Sequence, residues 1–278
     1  MTWWQALFLG TLQGVTEFLP ISSSGHLVLA QEWLGVLKTD QPRGAALFFD
    51  GVLHLGTLVA VLLWFRQTIL TSSSTTTAIW PRTRRDALRL GLLLAVASAP
   101  AALAVLFAGQ HIRDSFEKPI MVAWSFLALG GILLITDRMR PGTTEGSKMS
   151  WWQALVIGCC QGVSAVIRGM SRSGMTVAGG VAVGLERGWA VRFSFLMSVV
   201  ASLGLGGFGI VQALMEPEAR EWLTFELVLM ALLGAATSGV VGYLTIDPLI
   251  RIVRRARLWC FTIYLWVVAI AVLISHAL

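Results

Sequence analysis

Two segments of this chain set ionisable and hydroxyl side chains inside otherwise apolar stretches. The first reads Thr16-Glu17-Phe18-Leu19-Pro20-Ile21-Ser22-Ser23-Ser24-Gly25-His26, the second Arg168-Gly169-Met170-Ser171-Arg172-Ser173-Gly174-Met175-Thr176. A charge in hydrocarbon costs about 2.5–3.5 kcal/mol on insertion scales, so Glu17, His26, Arg168 and Arg172 are candidates for function. Glu17 stands at the end of one half-helix and His26 on the first turns of the next, with Ser22, Ser23 and Ser24 between them as caps. A helix N-terminus there presents free N–H groups and the positive end of a dipole, which suits an anion. Ser23 and His26 are three apart and share a helix face. A hydroxyl, an imidazole and a carboxylate are therefore expected to converge near one dipole end. Those are the parts of a nucleophile or general base acting on a phosphate.

Ser171-Arg172-Ser173 puts a guanidinium and two hydroxyls at a second half-helix N-terminus, and arginine grips phosphate oxygens bidentately. A plainer reading makes both segments satisfied helix breaks, with Arg172 paired to Glu17 as structural glue. Asp50 and His54 are four apart on the next helical segment and share a face; they line the same cavity or pair with each other. Arg168 either adds charge to the phosphate site or snorkels to the surface.

The elements that must position these residues belong to a membrane protein. Apolar residues make up 56% of the chain and charged residues 13%, against roughly 25% charged in soluble domains. Mean hydropathy is +0.74. A net charge of +6 with pI near 9.9 does not indicate nucleic acid, because the arginines sit in short loops between apolar runs, where the positive-inside bias puts them. Met1-Thr2 lacks a basic leader and Glu17 interrupts the first apolar stretch, so no signal peptide is expected. Cys159, Cys160 and Cys260 lie in apolar segments with no metal-ligand spacing.

Six runs are long enough to span, at roughly 45–65, 88–108, 119–136, 190–214, 223–248 and 259–277. Two further regions, 3–36 and 151–185, are broken in the middle, by Pro20 with Ser22–Gly25 and by Gly169 with Ser171–Gly174. Their halves are only ~15 residues each, short for a span. Both are read as re-entrant helical hairpins, since irregular backbone at membrane depth must be buried in protein or line a cavity. The hairpins begin alike: Met1-Thr-Trp-Trp-Gln-Ala-Leu…Gly10…Gln13-Gly14-Val15 returns as Met149-Ser-Trp-Trp-Gln-Ala-Leu…Gly158…Gln161-Gly162-Val163, identical at ten of fifteen positions.

The chain is thus expected to be an all-α polytopic membrane protein of one domain. It is built as an inverted-topology repeat, about 1–148 and 149–278, each half one hairpin followed by three spans. Three is odd, so the second half enters upside down. Paired broken segments at matching positions of two halves point to the functional site.

Charge agrees with the count. Arg66, Arg82, Arg84, Arg85, Arg89, Arg138, Arg140, Lys148, Arg187, Arg192, Arg251, Arg254, Arg255 and Arg257 fall on one side; Lys38, Arg43, Arg113, Lys118 and Arg220 fall on the other. The first side is expected to be cytoplasmic, with both termini outside. The tract Thr71–Thr77 in loop 67–87 is expected to be flexible. Trp3, Trp4, Trp151 and Trp152 suit an interfacial belt.

At these residues the chain resembles the undecaprenyl-diphosphate phosphatase family of bacterial inner membranes, also called the bacitracin-resistance protein family. The stretch from Gln13 to His26 is similar to that family's [Glu/Gln]-x-x-x-Glu motif with its following Pro-x-Ser-Ser-x-Gly-His. Gly169 to Thr176 is similar to its Pro-Gly-x-Ser-Arg-Ser-Gly-x-Thr motif, and Phe49-Asp50…His54-Leu55-Gly56 to a third stretch. Length and span pattern agree across the chain. Gln13 takes the motif's Gln option, leaving one carboxylate, and Arg168 stands where the second motif opens with proline.

The resemblance implies removal of the terminal phosphate from a C55 isoprenyl diphosphate. That would recycle the lipid carrier for peptidoglycan synthesis and confer bacitracin resistance. It implies a plasma-membrane site open to the periplasm and a divalent cation, Mg²⁺ or Ca²⁺, held by Glu17 with Gln13. Carried onto this chain, Arg172 with Ser171, Ser173, Thr176 and Ser22 grips phosphate, and Ser23 or His26 attacks or His26 activates water. The expected partners are a polyprenyl diphosphate lipid, the surrounding membrane and a second copy of the chain as a homodimer, with no nucleic acid. A transporter competes, because inverted repeats with broken helices also build transporters. Such a chain would flip undecaprenyl phosphate, with Glu17, Asp50 or His26 carrying protons. The serine–histidine–glutamate cluster favours chemistry, since a carrier needs only charge recognition and gates.

Overall fold

The computed structural model describes residues 1–36, 43–71, 83–108, 118–140, 142–254 and 258–277. Lys38, Arg82, Arg113, Arg255 and Arg257 of the charge pattern, and residues 72–77 of the threonine–serine tract, lie outside the described residues.

Each half opens on a capped short helix. In α1 (Trp3–Phe18), Gln5 Oε1 accepts the Thr2 backbone N–H at 2.8 Å. In α6 (Trp151–Val166), Gln153 Oε1 accepts that of Ser150 at 2.9 Å. The duplicated sequence thus makes the same cap twice. Both helices are 16 residues long, about 24 Å at 1.5 Å per residue, which is less than a ~30 Å hydrocarbon core. Each is followed after a break by a second short helix, α2 (Ser23–Leu34) and α7 (Arg172–Ala182). The α2 helix runs back along α1: Ser23 meets Glu17, and the Trp33 ring lies 6.4 Å from that of Phe8. The α7 helix runs back along α6, where Gln153 Nε2 donates to Val183 O at 2.9 Å.

Three long apolar helices follow each pair. They are α3 (Arg43–Thr71), α4 (Arg84–Phe107) and α5 (Pro119–Arg138), then α8 (Arg187–Met215), α10 (Phe225–Arg254) and α11 (Trp259–Ala277). A short α9 (Pro217–Trp222) joins α8 to α10. All six are long and apolar enough to cross a membrane, and each expected run falls on one of them. The chain is an all-α multi-pass membrane protein; among the described residues the only extended pairing is one bridge between Thr144 and Leu185.

Packing exchanges elements between the halves. The α1 helix lies on α10 of the other half, and α6 lies on α4 of the first. Glycines at matching positions allow both approaches. A Cβ on Gly10 would stand 2.4 Å from Gly234 O, and one on Gly158 2.4 Å from Ala97 O. The first spans of the two halves, α3 and α8, pack together, as do the third spans, α5 and α11. Direction follows from the contacts. Leu53 meets Ser238 and Trp64 meets Asp247, so α3 runs parallel to α10. Leu47 meets Gly209 and Gly51 meets Gly206, so α3 and α8 run antiparallel.

These close approaches set a test. Gly10→Ala and Gly158→Ala are each expected to lower stability in detergent by about 1–3 kcal/mol through overpacking, read as a fall in the thermal midpoint. Gly91→Ala and Gly131→Ala, where an added Cβ meets nothing within 4 Å, should leave the midpoint unchanged or raise it.

Candidate active site

The two breaks are built differently and touch each other. Pro20 has no N–H to continue α1 and pushes Leu19 into extended backbone, φ −65° and ψ 145°. Ser22 then takes φ +71°, the left-handed region that costs a side-chain-bearing residue energy. The second break has no proline. Its reversal is carried by Gly169 at φ +90°, so the arginine standing at the motif's proline position leaves the bend to the glycine after it. A Cβ on Gly25 would lie 3.1 Å from Gly169 Cα, and Ser173 Oγ donates to Leu19 O at 2.9 Å.

Each break caps the helix that follows. Ser22 Oγ accepts from Gly25 N at 3.3 Å, and Ser171 Oγ accepts from Gly174 N at 3.0 Å. Since Ser173 gives its proton to Leu19 O, the 3.0 Å contact between the Ser171 and Ser173 hydroxyls has Ser171 as donor. Two helix N-termini thus face one region from opposite halves of the chain.

Glu17 lies at their meeting point, buried, with both oxygens engaged. Arg172 Nη2 donates to Oε1. On Oε2, Ser23 Oγ donates at 2.6 Å, Gln13 Nε2 donates at 3.0 Å, and His54 Nε2 stands at 3.5 Å. Acid, serine and arginine therefore meet as expected, and Arg172 does pair with Glu17. The imidazole beside the acid belongs to His54. The expected convergence of His26 with Ser23 and Glu17 is corrected: its Nδ1 bonds Ser22 O at 2.8 Å and its Nε2 bonds Tyr264 Oη at 2.8 Å. The physical reason is the aromatic slot formed by Phe126 and Tyr264, whose ring centroids lie 5.0 and 5.6 Å from that of His26. Sharing a helix face with Ser23 did not decide where the imidazole went.

Asp50 and His54 meet through the backbone, His54 Nδ1 donating to Asp50 O at 2.7 Å. The Asp50 carboxylate instead accepts from Gln31 Nε2 at 2.7 Å and lies 3.8 Å from Arg168 Nη1. Arg168 therefore forms a second ion pair between the halves. Thr176 Oγ1 is turned to its own helix and to Ser194, at 2.8 Å from Arg172 O and 2.7 Å from Ser194 Oγ. It steadies the start of α7, and Arg172 Nη1 reaches Ser194 O at 3.3 Å. Tyr264, Phe126, Ser194 and Gln31 escaped sequence reasoning. Only Tyr264 carried a signal: it is one of two tyrosines in the chain, and a hydroxyl in so apolar a span needs a partner.

The site is closed. A cavity of about 10 Å³ beside it, reached by Phe18, Pro20, Ser173 and Ser194, has room for about one water. A larger cavity of about 330 Å³ lies at the far end of the α1–α2 pair, between Thr2, Gln5, Val36, Trp222 and Glu226, and contains none of these side chains.

Among the described residues no three His, Cys, Asp or Glu side chains gather as a metal cluster. Gln13 Oε1, however, is buried without a partner beside Glu17. Gln161 Oε1, at the matching position of the second half, is also unpartnered but has no carboxylate next to it. The set of Glu17, Gln13 Oε1 and Ser23 Oγ is all oxygen. It fits a hard divalent cation that takes its remaining ligands from water and phosphate.

Six helices long and apolar enough to cross a membrane, packed with two broken helix pairs that bring an acid, a serine and an arginine together, define a polytopic membrane protein. The chain belongs to the bacitracin resistance protein BacA family, whose family model matches residues 6–271. It is 40% identical to an undecaprenyl-diphosphatase of Desulfosudis oleivorans, over 95% of this chain and 94% of that one. It is 37% identical to one of Rubrobacter xylanophilus, over 95% of each, and 35% identical to one of Alcanivorax borkumensis, over 98% of each.

The Glu17–Arg172 pair should behave as an ion pair with a buried carboxylate and a partly buried guanidinium. Arg172→Gln is expected to cost about 3 kcal/mol of stability by leaving the carboxylate uncompensated, and Glu17→Gln/Arg172→Gln to recover much of that loss. Detergent unfolding of the two single variants and the double variant measures the coupling.

Proposed function

We propose that this chain hydrolyses undecaprenyl diphosphate to undecaprenyl phosphate and inorganic phosphate. It thereby returns the carrier lipid to cell-wall synthesis and supports bacitracin resistance. The observation that carries this reading is the Ser23 hydroxyl donating to Glu17 at 2.6 Å next to the Arg172 guanidinium. A carrier that only recognised charge would not need a hydroxyl aimed at a base. The names of the relatives also favour hydrolysis over the flippase alternative.

In this mechanism the terminal phosphate of the substrate takes Arg172 from Glu17, since a diphosphate outbids a single carboxylate for a bidentate guanidinium. The N–H groups opening α2 and α7, with Ser22, Ser171 and Ser173 at their caps, hold the remaining oxygens. Thr176 keeps α7 in register. Glu17, released on Oε1, accepts the Ser23 proton through Oε2. Ser23 Oγ bonds to the terminal phosphorus as the bond to the bridging oxygen breaks, and the lipid monophosphate leaves. Water then cleaves the phosphoserine, giving inorganic phosphate and restoring Ser23. This reading prefers Ser23 to His26 as nucleophile because both nitrogens of His26 are engaged elsewhere. A divalent cation held by Glu17, Gln13 and substrate oxygens would neutralise charge developing on the phosphates.

The accompanying topology has α1–α2 and α6–α7 as re-entrant hairpins in an inverted repeat of about 1–148 and 149–278. The arginine-rich loops lie in the cytoplasm, the termini lie outside, and the site opens to the periplasm of a bacterial plasma membrane. Support comes from the antiparallel α3 and α8, the shortness of the four half-helices, and the charge skew.

Purified protein is expected to release phosphate from farnesyl or undecaprenyl diphosphate, to stop with EDTA, and to lose at least a hundredfold in rate with Arg172→Ala or Ser23→Ala. No release by folded wild type would refute the reading. The cation has its own test. Mn²⁺ followed by electron paramagnetic resonance should bind weakly alone and at least tenfold tighter with a prenyl methylene-diphosphonate, because Glu17 is freed only when phosphonate occupies Arg172. Equal affinity with and without the analogue would sink that coupling.

A further inference from the structure

We propose that Tyr264 is a positioning residue for the Ser23 hydroxyl, acting through His26 and the Ser22 carbonyl. This inference rests on the reaction proposed above and adds a residue from the last helix to it. The chain of contacts is continuous. His26 Nδ1 faces Ser22 O at 2.8 Å, and a carbonyl oxygen can only accept, so Nδ1 carries the hydrogen. In the neutral imidazole Nε2 is then bare and accepts the Tyr264 hydroxyl proton at 2.8 Å. A phenolic hydroxyl can donate or accept, so the Ser22 carbonyl sets the tautomer, and the Tyr264 proton given to the bare Nε2 stabilises the form of His26 that grips Ser22.

That grip falls on the one described non-glycine residue held at positive φ. Ser22 at +71° sits immediately before Ser23, so the carbonyl that His26 holds belongs to the peptide unit joining the two serines. The same oxygen accepts the His26 backbone N–H at 3.2 Å, so the imidazole is its second hold, and losing it would loosen the turn and shift the Ser23 hydroxyl against Glu17. A displacement of 1 Å at a reacting group is enough to cost about a hundredfold in rate.

The rest of the slot is rigid. Phe126 is fully buried under the imidazole, and a Cβ on Gly25 would collide with it at 2.6 Å, so α2 sits hard on α5. The α5 and α11 helices are tied by Thr262 Oγ1 donating to Gly130 O at 2.9 Å and Trp266 Nε1 to Leu127 O at 3.0 Å. Those bonds flank Tyr264 on α11. The tyrosine ring lies nearly parallel to the imidazole, 9° between planes, and is 41% exposed. Its ring edge therefore faces the surroundings while its hydroxyl reaches inward.

The test compares Tyr264→Phe, His26→Asn, His26→Ala and Tyr264→Phe/His26→Asn for phosphate release from farnesyl diphosphate. Phenylalanine keeps the ring and removes only the donor. The Asn amide N–H occupies the place of Nδ1 and can still hold Ser22 O, with no imidazole present. Tyr264→Phe is expected to lower kcat about tenfold, the worth of one hydrogen bond, with KM unchanged. His26→Asn should retain far more activity than His26→Ala, and adding Tyr264→Phe to it should change nothing. Wild-type kcat in Tyr264→Phe would overturn the proposal, as would His26→Asn as inactive as His26→Ala. Long-range ¹⁵N–¹H spectra of labelled histidine give a readout independent of turnover. His26 should be the Nδ1–H tautomer in wild type, and its Nε2 signal should move in Tyr264→Phe as that nitrogen loses its donor; identical spectra would reject the proposal even where the wild type releases no phosphate.

Discussion

A buried carboxylate and a partly buried guanidinium neutralise each other where two broken helices meet. The Glu17 carboxylate is not tenable there alone, because desolvating a single charge costs several kcal/mol. The two groups arrive from sequence positions 155 apart, so the pair exists only when both breaks are formed and in contact. The surrounding features serve that meeting. Pro20 and Gly169 stop the helices, the Ser22 and Ser171 hydroxyls occupy the freed amides, and Gly25 lets the breaks approach. Phe18, Phe126 and Phe195 belong to the apolar cluster that surrounds them.

The same pair occupies Arg172 with an internal anion, and Ser23 already donates to the other oxygen of that carboxylate. A phosphate that displaces the Glu17 carboxylate from Arg172 would free it to act as a base at the moment it is needed. Binding energy from an anionic substrate would be converted into release of a catalytic group, which is how an interaction made only along the reaction coordinate contributes to rate.

The acid and the arginine come from breaks at matching positions of two segments that begin alike. The opening stretches of the halves are nearly the same text, and they fold alike, with equivalent caps at Thr2 and Ser150 and equivalent helix contacts at Gly10 and Gly158. Past the shared Gln-Gly-Val the copies diverge, one toward Glu17 and the serines, the other toward the arginines. The α3 and α8 helices that follow the two pairs run in opposite directions. The Arg168–Asp50 contact at 3.8 Å is a second product of that divergence and ties the halves near the first.

Much was determined by the sequence alone, for reasons of local physics. Hydropathy over about twenty residues marks a span whatever its neighbours are, so all six long helices were legible. Proline, glycine and serine clusters mark breaks through backbone sterics and capping, which located both helix pairs. An acid and arginines in apolar text announce a buried site, and their breaks predicted that Glu17, Ser23 and Arg172 would meet. What the tertiary structure decided was which side chains on those elements reach one another. His26 was drawn toward Phe126 and Tyr264 because an aromatic slot on α5 and α11 outweighed its helical spacing from Ser23. His54 came to Glu17 because α3 packs beside α1, and the Asp50 carboxylate turned to Gln31 and Arg168. Each of these depends on helix rotations set by close glycine contacts between segments remote in the chain, and no local pattern in the sequence encodes them.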